Sequence, residues 1–487
     1  MTVVPTKFFE PSAFEGAEYS WLPFYFERLN PETVLVTNYV GEYLRLTQGE
    51  FLALTNLSLD DSPELRGRLL AKQIIRQKDD SLPLELLGLK LLARNAHLPN
   101  FTSLHIMVVT LRCEHSCPYC QVSRQLGDPR KYDMTEDVAF RSLDMIFKSP
   151  SQNIKIEFQG GEPLMNFELI EKVVARAKAL NEHHRRNLAF VIATNLALIS
   201  EDVLNFCKEH EILISTSLDG PSALHNRNRP RPGNNSWELA VEGIGKVQEA
   251  LGPNAVSALM TTTEKSLNQP ESIVDSYVSL GLHSIFLRPL SPYGFAVKKK
   301  GYKKYSQENW LEFYEQGLNY IIDQNLGGYG LREQYAAIIL SKMLSNAPLP
   351  YVDLSSPAGA GIMALVYNFD GGIYASDEGR MLAEMGDETF RLGNVETHTW
   401  QDIFLSDELL EPLEKSLALS APGCSTCAFR SWCGSEPVFH KATQDDVVGH
   451  KSFSAFCERN MGVFRVLLAI LERNDERSAV LRSWVKN

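Results

Sequence analysis

The chain has no run of about eighteen apolar residues, the length needed to cross the hydrocarbon core of a bilayer, so no transmembrane helix is expected. Its first residues, Met1-Thr-Val-Val-Pro5, lack a basic segment followed by an apolar core, and a secretory signal is not expected either. Positive charge is in deficit: 48 Lys and Arg face 60 Asp and Glu, a net charge of −12. That balance speaks against a nucleic-acid-binding protein, because phosphate recognition needs a basic face. The one basic cluster, Lys298-Lys-Lys-Gly-Tyr-Lys-Lys304, reads as a solvated loop, with contact to an acidic peptide as the alternative. Repeats and low-complexity stretches are absent, which removes solenoids and compositionally biased tracts from consideration. Cysteine is scarce, with eight in 487 residues. Three lie between Cys113 and Cys120, four between Cys424 and Cys457, and Cys207 stands alone in a helical pattern as a small core residue. Cysteines grouped this way, in a chain with no secretory signal, point to metal binding in a reducing cytoplasm rather than to disulfides.

What is present is ordinary in bulk, 44% hydrophobic and 22% charged, and long enough for two or three domains with their own cores. Residues 1–98 read as a separate module. Strand-like runs at Phe24–Leu29, Thr33–Tyr39 and Glu42–Leu46 are followed by helical patterns. The first helix opens on a capping box, Thr47-Gln-Gly-Glu50, and the second on Ser62-Pro63, an N-cap followed by proline at the first helical position. A third runs through Leu82–Arg94. From 102 to 300, strand and helix alternate six times. The candidate strands are Leu104–Thr110, Ile154–Gln159, Ala189–Thr194, Ile212–Ser217, Ala255–Thr261 and Ser284–Leu290, with helices such as Glu136–Phe147 and Phe167–Leu180 between them. Such alternation implies parallel strands with chemistry at their carboxyl ends. Residues 301–355 read as a helical bridge, and 356–487 as a cysteine-bearing tail with a final helix near Ala455–Glu472.

The densest chemistry follows the first of these strands, in Cys113-Glu-His-Ser-Cys117-Pro-Tyr-Cys120. A closed tetrahedral metal site takes four protein ligands, so three thiolates at this spacing leave one position open. Thiolates select zinc or iron–sulfur clusters, and a cubane held by three cysteines keeps one iron free for another ligand. After the second strand comes Gly160-Gly161-Glu162-Pro163, where glycines allow close backbone approach and a carboxylate can receive an ammonium group.

Together the cysteine loop, with Tyr119 before its last cysteine, and the Gly160–Pro163 tetrapeptide resemble the cluster and SAM motifs of the radical S-adenosylmethionine (SAM) superfamily. The resemblance implies a [4Fe–4S] cluster at Cys113, Cys117 and Cys120 whose open iron is chelated by the amino and carboxylate groups of SAM. One-electron reduction then yields a 5′-deoxyadenosyl radical that takes a hydrogen atom from substrate. It implies a partial six-stranded (β/α) barrel of TIM type, and a winged-helix-like module before it that holds a leader peptide by strand addition; a simple packing cap is the alternative for that module. By the same resemblance Tyr119, Gly160, Gly161, Glu162, Pro163, Thr194, Asn195, Ser217 and Asp219 would meet SAM, and Arg288 could pair with its carboxylate. A turn-forming or capping role is the competing explanation for Thr194, Asn195, Ser217 and Arg288. His225 and Arg227 are read as ordinary loop residues, with substrate contact as the alternative.

The second group, Cys424-x2-Cys427-x5-Cys433 and then Cys457, can close a site completely; a four-cysteine zinc ribbon is the rival. Its spacing resembles the C-terminal auxiliary-cluster (SPASM-like) domain of peptide-modifying radical SAM enzymes, in which seven cysteines hold two clusters. Here the positions matching the other three ligands are Ala358, Ser376 and Pro437, so the resemblance implies one auxiliary [4Fe–4S] cluster, not two. Asp377 stands where related maturases carry a proton-accepting aspartate; a surface turn residue is the alternative.

Over most of its length the chain is similar to radical SAM maturases of His-Xaa-Ser peptide systems, in Cys120-Gln-Val-Ser-Arg124, Ile156-Glu-Phe-Gln-Gly-Gly-Glu-Pro163, Ser291-Pro-Tyr-Gly-Phe295 and Tyr374-Ala-Ser-Asp377. This implies a ribosomally made precursor peptide as substrate, an intrapeptide crosslink as product, a flavodoxin- or ferredoxin-like reductant, and a second radical SAM maturase as a further partner. A sulfatase-type maturase, another radical SAM peptide oxidase or epimerase, and a non-enzymatic metal-binding scaffold are the other classes.

Overall fold

The computed structural model describes residues 18–345 and 351–485. The first seventeen residues of the expected 1–98 module and residues 346–350 of the expected bridge lie outside the described residues. The chain forms two compact units: residues up to 96 with 426–432, and the remainder. The divisions expected at 300 and 356 do not separate units, because strands from the tail join the central sheet.

In the first unit, β1 (Tyr19–Trp21) pairs antiparallel with β5 (Ile75–Gln77), and β2 (Phe24–Arg28), β3 (Thr33–Asn38) and β4 (Tyr43–Thr47) form an antiparallel meander. The register Phe24↔Asn38 and Thr33↔Thr47 turns Val34, Val36 and Leu46 into one core with Phe51, Leu54, Leu65 and Leu69 from the helices. The capping box forms as expected: Thr47 Oγ1 accepts from the Glu50 amide and Glu50 Oε2 from the Thr47 amide, at 3.2 and 2.7 Å. Pro63 opens its helix at the first position, but the Ser62 side chain makes no capping hydrogen bond. Residues 426–432 pack within this unit: Thr37 Oγ1 donates to the Ala428 carbonyl, Trp432 Nε1 to that of Gly41, and the Arg430 guanidinium lies over Tyr25 and Tyr39.

The second unit is built on a nine-stranded sheet. Its strands are β6 (Leu104–Thr110), β7 (Asn153–Gly160), β8 (Asn187–Ala193), β9 (Leu213–Ser217), β10 (Val256–Thr261), β12 (Leu287–Arg288), β14 (Ala364–Tyr367), β15 (Gly372–Tyr374) and β16 (Arg391–Asn394). They are ordered β12-β10-β9-β8-β7-β6-β14-β15-β16, parallel from β12 to β14 and antiparallel beyond. β6 is buried at nearly every position, which is why it is mostly apolar rather than alternating. Thr and Ser cap two of the crossover helices: Thr135 accepts from the Val138 amide and Ser200 from that of Val203.

Two features depart from the six-strand expectation. The sixth strand is broken at Phe286: β11 (Ser284–Ile285) pairs with β13 (Arg332–Glu333), while β12 pairs with β10. A seventh parallel strand, β14, joins β6 in the register Ala364↔Leu104, with Val366 packed on Ile106 and Val108.

This join buries His105 completely, with the Tyr367 hydroxyl 3.3 Å from its Nδ1. Burial holds the imidazole down to about 3, against an ordinary value of 6.5. The unfolded chain therefore binds one more proton than the folded chain as pH falls from 6.5 toward 3. This contribution to stability is present above pH 6.5 and lost below it, at about 1.4 kcal/mol per pH unit. Urea unfolding of wild type and His105→Phe at pH 6.5 and 5 should show the wild type losing about 2 kcal/mol more than the variant. Equal losses would mean that His105 is protonated in the fold.

Candidate active site at the carboxyl ends of the strands

The cysteine loop leaves β6 at Thr110 and is tied down on several sides before any ligand is considered. Arg112 forks onto Asp133 through Nε (2.7 Å) and Nη2 (2.6 Å), and the Cys113 amide donates to the Gln125 carbonyl. The Ser116 amide donates to the Pro230 carbonyl at 2.7 Å, and the Phe295 amide to that of Cys120 at 2.8 Å. Gly294 needs its positive φ of 57°, and a Cβ there would stand 2.6 Å from the Cys120 carbonyl oxygen. The Ser291–Phe295 stretch thus clamps the end of the loop, a role its sequence did not show.

The glycines of the Gly160–Pro163 tetrapeptide serve the same loop. A Cβ on Gly160 would lie 2.1 Å from the Thr110 carbonyl oxygen, and one on Gly161 2.3 Å from that of Arg112. The Gly161 and Glu162 amides donate to those two carbonyls at 2.8 and 2.7 Å. Close approach was expected toward a ligand; the structure shows it toward the backbone at the root of the cysteine loop. Gly160→Ala must push β7 from β6 at this point and should cost about 1–3 kcal/mol in urea unfolding, the usual penalty for overpacking. A variant as stable as wild type would show that the strand ends can part freely.

Cys113, Cys117 and Cys120 all line one cavity of about 240 Å3, with Thr194, Asn195, Ser217, Gly160, Gly161, Arg288 and Asp377 on its other walls. Burial pushes two of the thiols up, Cys117 to about 12 and Cys113 further, so thiolates at these two persist only with a cation beside them. Among the described residues the ligand atoms that lie within 4.8 Å of one another are those of Cys113, Glu114 and His115. The three thiols do not converge on a single-ion site; their wider spacing suits a larger group. Buried atoms facing the same space, Gln121 Nε2, Arg124 Nε and Thr216 Oγ1, have no hydrogen-bond partner, and such orphans call for one. Three thiols, orphaned donors and room beside them fit an open-sided cluster with a polar ligand on it.

Several residues expected to meet SAM also brace the wall. Glu162, fully buried, receives the Thr194 hydroxyl (2.7 Å) and the Asn195 amide (2.8 Å), and caps the turn at Leu164 (3.1 Å). Burial, with Glu114 nearby, pushes its carboxyl up to about 7. Pro163 opens that buried turn. Neither residue lines the cavity, and nor does Asp219. Asp219 takes the Tyr119 hydroxyl at 2.7 Å and lies 3.3 Å from Arg229 Nε, while the Arg229 guanidinium sits 5.4 Å from the Tyr119 ring centroid. Tyr119 and Arg229 do face the cavity. Arg229 escaped sequence reasoning because Arg227-Asn-Arg229-Pro-Arg231 offers three alike. The Asn195 side chain holds the loop, donating to Glu114 Oε1 at 2.9 Å.

Across the cavity Arg288 Nη2 lies 3.7 Å from Glu378 Oε1, and Asp377 is paired with buried Arg380 at 3.1 Å. Glu157, on β7, shares this wall; burial raises its carboxyl, and Asp377 adds to the effect. His225 is not a loop residue: it is buried in the helix Ser222–Asn228, where Nδ1 accepts the Asp219 amide at 3.2 Å. Cys207 is fully buried in the helix Glu201–Glu209, as expected.

In the tail, Cys424, Cys433 and Cys457 are half-buried in the second unit, and Cys427 belongs to the 426–432 segment of the first. Cys457 follows Ser454, whose hydroxyl caps the helix Ala455–Glu472. The three positions without cysteine have structural duties: Ala358 is buried, Ser376 caps the helix Asp377–Ala383 (3.0 Å to the Gly379 amide), and Pro437 opens the helix Pro437–Gln444.

Residues 107–277 match the model of the Radical SAM superfamily, whose members use SAM and a [4Fe–4S] cluster. An uncharacterised protein of Methanocaldococcus jannaschii is 31% identical over 188 residues, 38% of this chain and 62% of that protein. A cysteine-type anaerobic sulfatase-maturating enzyme of Clostridium perfringens is 24% identical over 353 residues, 68% of this chain and 87% of the enzyme. Among solved structures, native anSMEcpe with bound AdoMet superposes with a TM-score of 0.62 at 17% identity, over 76% of this chain and 98% of that one. Streptococcus suis SuiB bound to precursor peptide SuiA gives 0.52 at 14%, over 90% and 99%. The chain thus has the radical SAM α/β fold.

Proposed function

We propose that this chain is a radical SAM enzyme that modifies a ribosomally made precursor peptide, joining an aromatic ring to a neighbouring side-chain carbon, as in His-Xaa-Ser systems. The observation that carries the first half is the cavity: three thiols, orphaned polar groups and two cations meet at the carboxyl ends of parallel strands. Cys113, Cys117 and Cys120 would hold the cluster, and Thr194, Ser217, Thr216 and Arg229 would hold SAM. When bound, the pair supplies hydrogen-atom abstraction after one-electron reduction. Glu162, Asp219 and Asn195 position these groups from behind. Asp377 and Glu157 face the cavity from the opposite wall and can take a proton from an oxidised substrate.

The peptide half rests on similarity. One solved structure with this fold carries a precursor peptide, and the meander of the first unit leaves β2 and β4 as edges to which a leader strand could add. The second cysteine group supplies ligands for one auxiliary [4Fe–4S] cluster. A sulfatase-type activity, suggested by the 24% identity, is disfavoured by the packing and capping roles of Ala358, Ser376 and Pro437. Co-expression with the short peptide encoded beside this protein, followed by mass spectrometry, tests the proposal. A loss of two hydrogens per modification is the expected result. An unchanged mass, with SAM cleavage intact, would overturn crosslinking in favour of epimerisation.

A further inference from the structure

Positive charge in this acidic chain is gathered at one place. The segment from Gly294 to Tyr305 carries five lysines and no acid. Lys298, Lys299, Lys300, Lys303 and Lys304 are all exposed. Among the described residues only Lys304 of these five has an ion-pair partner, Glu264 at 3.7 Å. The ammonium groups of Lys298 and Lys299 stand 5.9 and 5.7 Å from the ring centroid of Phe295. Phe295 is the residue whose amide is bonded to the Cys120 carbonyl at 2.8 Å. A second basic segment reaches the loop independently: Pro230, whose carbonyl accepts from the Ser116 amide at 2.7 Å, lies between exposed Arg227 and half-buried Arg231. Within the loop, Pro118 is exposed to solvent. Two separate stretches of chain, each hydrogen-bonded to the cysteine loop, thus carry exposed cations.

We infer that Lys298–Lys304, with Arg227, forms the docking surface for an acidic one-electron carrier protein that reduces the cluster held by Cys113, Cys117 and Cys120. The inference rests on the function proposed above. The carrier loses one electron, the cluster gains it, and no bond forms between the proteins. The whole chain carries a net charge of −12, so its surface elsewhere repels an acidic partner while this patch attracts the carrier and orients it toward the loop. Attraction of this kind weakens as salt shortens the screening length.

The test uses the full chain, reconstituted with iron and sulfide, and a flavodoxin as probe. Lys298→Glu/Lys299→Glu/Lys303→Glu should weaken the binding of oxidised flavodoxin at least tenfold by calorimetry at low salt, and flatten its salt dependence. The same loss should appear with the chain before reconstitution. Lys→Gln at the three positions should fall between. Flavodoxin-driven cleavage of SAM should drop in parallel, while dithionite-driven cleavage stays at the wild-type level. Unchanged affinity and salt dependence in the charge-reversed variant would overturn the inference, as would a loss confined to precursor-peptide binding. Wild type that fails to cleave SAM with dithionite would overturn the proposed function instead, with the binding arm still deciding the surface.

Discussion

Replacing Cys113, Cys117 and Cys120 together by alanine is expected to abolish SAM cleavage and to halve the iron of the reconstituted chain, from about eight to about four atoms. The two cysteine groups predict this split. The loop thiols line the 240 Å3 cavity with room beside them, whereas Cys424, Cys427, Cys433 and Cys457 are enough to close a cluster without outside help. The loop itself should survive the substitution, because its ties run through backbone groups of Cys113, Ser116 and Cys120 and through the Arg112–Asp133 fork. The substitution also removes two thiols, Cys113 and Cys117, whose ionisation burial opposes. Unfolding by urea before reconstitution should therefore move little. Iron near twelve in wild type would restore a second auxiliary cluster; iron near zero with bound zinc would overturn both cluster assignments.

How much of this was legible in the sequence depended on the range of each signal. The cysteine loop and the strand–helix alternation are local, and both stand where the residues placed them. The helix Ala455–Glu472 and the Thr47–Glu50 capping box are local too. β14 was not legible: Ala-Leu-Val-Tyr367 is four residues long, and its partner β6 lies some 260 residues earlier. Only tertiary pairing fixes its register. The break at Phe286 has the same origin, since Ser284–Ile285 is drawn to β13 and Leu287–Arg288 to β10. At the site, residue types were readable but directions were not. Gly160 and Gly161 signalled close approach, but not that the Thr110 and Arg112 carbonyls are what they approach. Glu162 and Asp219 signalled chemistry, yet both carboxylates point into the wall behind it, where Thr194, Asn195, Tyr119 and Arg229 depend on them.

That dependence makes Asp219 the most consequential residue that does not touch the cavity. It is fully buried and takes the Tyr119 hydroxyl on Oδ2, the same oxygen that faces Arg229, while Oδ1 accepts the Thr261 amide at 3.4 Å. Arg229 is only 13% exposed at its side chain, so a guanidinium left there without its carboxylate is poorly solvated. Removing one partner of such a pair typically costs about 3–5 kcal/mol, and the stranded Tyr119 hydroxyl adds about 1 kcal/mol or more. Asp219→Ala should accordingly lower urea stability by about 4 kcal/mol. Arg229→Met alone should cost less, because the carboxylate retains Tyr119 and the Thr261 amide. The double variant, which leaves no buried charge unpaired, should recover most of the loss, giving a coupling energy above about 2 kcal/mol. Additive losses would show that the two charges do not sense each other. In that case Asp219 would be read again as a group that meets SAM directly, and Tyr119→Phe would then leave SAM affinity unchanged, whereas it should weaken SAM binding if Asp219 acts by holding the tyrosine.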